Sequence, residues 1–162
     1  MNYITEDKEF SETTIEIKRV SKKTKGGNTI RFTALVVVGD KKGKVGVGLS
    51  KGSDVGSAIR KASSFARRRM FRVPMKAGSI PYSVDEKFSA AYVLLKPAPS
   101  GSGIIAGGPL RAVLEAAGIH DAVGKILGTK NKASNVYATV KALKKLSVLS
   151  DRKGFKTEQE EK

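Results

Sequence analysis

The 162-residue chain has no cysteine, no tryptophan and a single histidine, His120. Without cysteine there are no disulfides, thiol nucleophiles or thiolate metal sites, and one histidine excludes a multi-histidine metal centre. Aromatic residues make up only 6% and show no recognition-motif pattern on the expected strands, which favours shape and phosphate recognition over stacking on single-stranded bases. No apolar run approaches the ~18 residues that a membrane span needs. The opening MNYITEDKEF is acidic and polar, unlike a signal peptide. Acidic residues are scarce as well: 15 Asp plus Glu face 31 Lys plus Arg, a formal net charge of +16. Hydrophobic content of 40% is ordinary for a chain with a core. The expectation is therefore a basic, soluble, intracellular globular protein whose partner is a polyanion, nucleic acid before membrane.

The charge is unevenly spread. Residues 18–72 carry sixteen basic residues against Asp40 and Asp54, whereas residues 1–17 carry five acids and one lysine. Extended segments are expected at Thr13 to Val20, Ile30 to Val38 and Lys44 to Leu49, with a turn at Gly39-Asp40-Lys41-Lys42-Gly43. Gly46 and Gly48, opposite Val45, Val47 and Leu49, signal the close approach of another backbone or a ligand. A helix capped by Ser53 or Asp54 follows, with Val55, Ala58, Ile59, Ala62, Phe65, Ala66 and Met70 as its apolar stripe. Val73 to Pro81 reads as a linker. Beyond it lie strands at Val84 to Phe88 and Ala91 to Lys96, a short run at Ile104 to Ala106, and a helix from Pro109 to Gly118. A strand at Ala122 to Leu127 and a helix from Ser134 to Leu146 complete the chain. The fold class is α+β in two small domains with separable cores, residues 10–73 and 74–150. Residues 1–9 and 151–162 are read as tails.

The stretch Ser21-Lys22-Lys23-Thr24-Lys25-Gly26-Gly27-Asn28 is expected to be a loop whose ammonium groups and amides approach phosphates. Arg60, Lys61, Arg67 and Arg68 give the first helix a basic face, whereas Arg69 projects near the apolar side, so the last turn is expected to fray or reach outward. A small sheet with one basic helix suits duplex RNA read through its backbone. The Gly101 to Gly108 stretch could cradle a phosphate at a helix start, but it matches neither G-x-x-x-x-G-K-[ST] nor a dinucleotide-binding pattern. No carboxylate cluster is present to place magnesium. A phosphate-handling enzyme using Gly101 to Gly108, or a free duplex-RNA-binding protein, are the alternatives to a ribonucleoprotein component.

The motifs Arg19-Val20-Ser21-Lys22, Lys25-Gly26-Gly27, Phe32 to Asp40, Gly43-Lys44-Val45-Gly46, Ala66-Arg67-Arg68, Gly103 to Gly108 and Arg111 to Glu115 resemble the bacterial small-subunit ribosomal protein five family from about Ile15 to Leu146. The resemblance implies an N-terminal domain related to double-stranded-RNA-binding domains and a C-terminal α+β domain with a left-handed β-α-β crossover. It implies a non-enzymatic constituent of the small ribosomal subunit, lying between head and body, binding small-subunit ribosomal RNA and contributing to decoding accuracy. RNA contact is assigned to Lys22, Lys23, Lys25, Gly26, Gly27, Asn28, Arg31, Lys44, Lys51, Arg60, Lys61, Arg67 and Arg68. A protein interface is assigned to Gly103, Gly107, Gly108 and Arg111. Small-subunit proteins four and eight are the implied protein partners. No cofactor, metal, membrane or homo-oligomer is expected.

Overall fold

The run Ala34-Leu35-Val36-Val37-Val38 has no polar residue to turn toward water, so its strand must be covered on both faces. The computed structural model, which describes residues 6–7 and 10–152, shows what covers it. The strands are β1 (Glu6–Asp7), β2 (Phe10–Thr24), β3 (Gly27–Gly39), β4 (Lys44–Gly52) and β5 (Phe71–Arg72), forming one antiparallel sheet in that order. Helix α1 (Val55–Arg68) lies on one face, where Ala58, Ala62 and Ala66 meet Ala34, Val36 and Val38. On the other face, Leu35, Val37, Val45 and Val47 belong to a larger core that also holds Leu110, Val113, Leu114, Leu143 and Leu146.

Those last residues come from α2 (Gly108–Ala117) and α3 (Lys132–Arg152), which belong to the second domain. Its sheet has the order β6-β7-β9-β8, with β6 (Val84–Phe88), β7 (Ala91–Pro97), β8 (Ile104–Ile105) and β9 (Ala122–Leu127). β8 and β9 are parallel and joined through α2, a β-α-β unit within an otherwise antiparallel sheet. Two α+β domains are present, but their cores are not separate. The first sheet is sandwiched between α1 and the second domain's helices.

The segment expected to be a linker is packed. Val73, Ser79 and Ile80 are buried. The Ser79 hydroxyl donates to the Asp121 carbonyl at 2.6 Å and accepts from the Ala98 N–H at 3.2 Å. The prolines and the glycine suggest a linker, but the apolar side chains between them bury the segment. The expected N-terminal tail contributes β1, which pairs with Phe10 and Ser11. At the other end α3 continues to Arg152, and the remainder of the expected C-terminal tail lies outside the described residues.

Close packing of α1 depends on what β4 omits. A Cβ at Gly46 or Gly48 would run into the backbone carbonyl of Ala66 or Ala62, and one at Gly52 into Ser57 and Ala58. Glycines on the strand face alanines spaced four apart on the helix, so backbone lies almost on backbone. Asp54 caps the helix: its carboxylate accepts from the Ser57 N–H at 2.9 Å, and Ser57 Oγ accepts in return from the Asp54 N–H at 3.4 Å. Hydrogen bonding from Ser57, side chain first and backbone second, lowers the Asp54 carboxyl to about 2.

Candidate nucleic-acid interface

The lysine-rich stretch is not the open loop expected. β2 and β3 stay paired to their ends, with Lys22 opposite Thr29, Lys23 opposite Asn28 and Thr24 opposite Gly27. Only Lys25 and Gly26 remain as the turn, tightened by the Thr24 hydroxyl donating to the Gly27 carbonyl at 2.8 Å. Gly27 has φ +135°, a conformation closed to other residues. All residues from 21 to 31 are exposed, so a two-stranded ribbon stands out from the sheet.

Strand alternation then sorts the cations. Val20 opposes Arg31, and Thr33 opposes Lys51, which puts Lys22, Arg31 and Lys51 on the face turned away from α1. These three, with Val20, Ser21, Thr24 and Thr29, line a hollow of about 430 Å³. Arg19 and Lys23 point to the other face and Lys25 sits on the tip. None of Lys22, Lys23, Lys25, Arg31 or Lys51 has an ion-pair partner among the described residues. Lys44 is not among them in space. It begins β4 opposite Arg72, at the far end of the sheet, about 43 Å from Gly27 at ~3.3 Å per residue.

A second basic surface lies on α1. Arg60, Arg67 and Arg68, with Ile59, Ser63, Ser64 and Glu12, line a cleft of about 470 Å³. The Arg67 Nε and Nη2 groups donate to Glu12 Oε1 at 3.1 and 2.8 Å, and the Ser63 hydroxyl donates to Glu12 Oε2 at 2.7 Å. Arg68 donates to the Ser64 carbonyl and hydroxyl, both at 3.3 Å. Lys61 is exposed but does not line the cleft. The Arg69 guanidinium stacks over the Phe65 ring at 4.1 Å, which holds the end of the helix rather than letting it fray. The residues assigned to RNA thus form two main groups, Lys22, Arg31 and Lys51 on the ribbon face and the α1 cations on the opposite side of the sheet, with Lys23 and Lys25 at the ribbon's other face and tip and Lys44 apart from both. Glu12 escaped sequence reading because nothing local ties it to residues some fifty positions away.

In the second domain, the Gly103 N–H donates to the Asp121 carboxylate at 2.8 Å, and Gly107 precedes α2, its carbonyl accepting from the Arg111 N–H at 2.9 Å. A Cβ on Gly107 would press on Ile126, whereas Gly108 faces open space. The glycines therefore serve turning and packing, and the Gly103 amide that a phosphate would need already binds a carboxylate. Arg111 is exposed and its Nη2 donates to the Ile104 carbonyl at 3.2 Å, tying α2 to β8. It borders a hollow of about 720 Å³ shared with Lys41, Ile104, Glu115 and His120. No group of three or more potential metal-ligating side chains occurs among the described residues.

Residues 10–74 match the family model described as ribosomal protein S5, N-terminal domain, and residues 86–152 match that described as ribosomal protein S5, C-terminal domain. Small ribosomal subunit protein uS5c of Spinacia oleracea is 47% identical over 143 residues. That match takes in 88% of this chain and 46% of the spinach protein, so the chain spans about half the length of that relative.

Proposed function

From the fact that this chain belongs to the ribosomal protein S5 family, a family of structural and non-enzymatic ribosomal components, we propose that it is a constituent of a bacterial-type small ribosomal subunit in the cytoplasm. It binds small-subunit ribosomal RNA between head and body through phosphate contacts. The observation that carries this reading is the ribbon face, where Lys22, Arg31 and Lys51 converge without a carboxylate partner among the described residues. Lys23, Lys25, Gly26, Gly27 and Asn28 extend the contact around the tip. Arg60, Lys61 and Arg68 supply a second footprint on α1, and Lys44 adds an isolated cation. Phosphate recognition fits a surface poor in aromatic rings and rich in cations, because phosphates fix position without stacking.

The second domain supplies protein contacts in this reading. Gly103, Gly107, Gly108 and Arg111 face small-subunit protein four, and protein eight is a further neighbour. Exposed Ile105, with 54% of its surface open, gives the same edge an apolar anchor. Parting of this contact as the subunit closes on a codon couples it to decoding accuracy. Sedimentation through a high-salt gradient tests the main claim: the protein should travel with the small subunit, and recovery only in free fractions would refute it. Arg111→Leu should assemble normally yet raise stop-codon readthrough in a reporter. Normal readthrough with normal assembly would remove Arg111 from any accuracy role.

A further inference from the structure

Between residues 18 and 72 the only acids are Asp40 and Asp54, and both serve the backbone. Asp40 accepts from the N–H groups of Lys42 and Lys44, and Asp54 caps α1. The acid inside the α1 cleft comes from elsewhere. Glu12 lies on β2, opposite Val38 and on the face that carries α1, so the sheet delivers a carboxylate into the middle of the arginines. Its side chain is 12% exposed against 38% for Arg67. One oxygen takes two N–H groups of Arg67 and the other takes the hydroxyl of buried Ser63. The Phe10 ring lies 5.9 Å from the same guanidinium. Arg67 is thus engaged along one edge and lies near a ring.

Arg60 and Arg68 differ. Among the described residues Arg60 forms no ion pair, though its charge acts weakly on Asp54, and Arg68 bonds to neutral groups of Ser64. We propose that Glu12 limits RNA affinity at the α1 cleft by neutralising Arg67, leaving Arg60 and Arg68 to meet phosphate there. A carboxylate fixed at the centre of the cleft also repels any phosphate that approaches Arg67 directly, so the cleft favours two separated phosphates over one central one. This inference rests on the RNA-binding reading above, and refines which arginines carry it.

The test uses the full chain and a short RNA duplex, with log K followed against log salt. Each phosphate contact contributes a slope of roughly 0.7–0.9. Glu12→Gln, which keeps hydrogen bonding to Ser63 but removes the charge, should steepen the slope by about one such contact. Removing the pair together, as Glu12→Ala with Arg67→Ala, leaves no bare carboxylate and should leave the slope as it was, while Arg60→Ala lowers it by one contact. The paired variant decides the matter even if Glu12→Gln fails to fold. A slope for the paired variant reduced as much as for Arg60→Ala, or a Glu12→Gln slope equal to the wild type, overturns the role of Glu12 alone. Absence of any salt-dependent binding by the wild-type chain overturns the RNA reading and this inference together.

Discussion

At the scale of single residues, what is missing from a side chain matters as much as what is present. Gly48 sits where α1 crosses β4, and an added methyl would meet the Ala62 carbonyl, a backbone atom that cannot move aside alone. Gly48→Ala is expected to destabilise by about 1–3 kcal/mol, the range for an overpacked core. Gly108 is a matched control. It lies in the first turn of α2 with open space around it, so Gly108→Ala should be neutral or gain up to ~1 kcal/mol in helix propensity. Chemical denaturation of both variants checks the pair, and equal losses would mean that the glycine–alanine contact is not what seats α1. The sequence made Gly46 and Gly48 legible as sites of close approach, because two glycines on one face of a β-branched strand have few other uses. It could not say that the approaching backbone is the next helix rather than a ligand.

At the scale of elements, the longer helices and strands were legible because their caps and periods are local, whereas the two-residue β1 and β5 were missed and α3 runs six residues past its expected end. Asp54 shows the local logic and permits a pH test. Its folded-state value of about 2 lies below its ordinary 3.8, so the unfolded chain binds the proton more readily. The stabilisation is therefore complete above about pH 4 and is lost as pH falls toward 2. Asp54→Ala should lower Tm at neutral pH, and the gap from the wild type should close over that acid window. The ribbon was the element misjudged. Lysines, glycines and a threonine argued for a loop, yet pairing persists to Thr24 and Gly27 because a two-residue turn at Lys25 and Gly26 suffices. The chemistry assigned to it is unaffected by that correction. Replacing Lys22, Lys23 and Lys25 by Ala should reduce the log K against log salt slope by about two units if all three meet phosphates. An unchanged slope would make the ribbon tip a solvated edge.

At the scale of the whole molecule, the sequence was least informative, since nothing in Leu35 or Val37 says which distant helix will cover them. The composition shift and prolines near Val73 suggested a joint between separate cores. Instead, Leu35, Val37, Val45 and Val47 are buried with residues of α2 and α3. Unfolding should therefore be one cooperative transition, and Leu35→Ala, expected to cost about 2–5 kcal/mol, should lower the Tm reported from both domains equally. Two separated calorimetric transitions would contradict a shared core. The same rigidity gives the exposed ribbon a mechanical character. It is a cantilever, rooted in a body sandwiched on both sides, and it leaves that body near Val20 and Phe32, where the pairing with β4 runs out. From there to Thr24 is about 13 Å at ~3.3 Å per residue, so a tilt of about 10° at the root would carry the lysines at the tip through ~2 Å. That is about the length of a hydrogen bond: the phosphates within reach of the tip are selected by the strand geometry at the root.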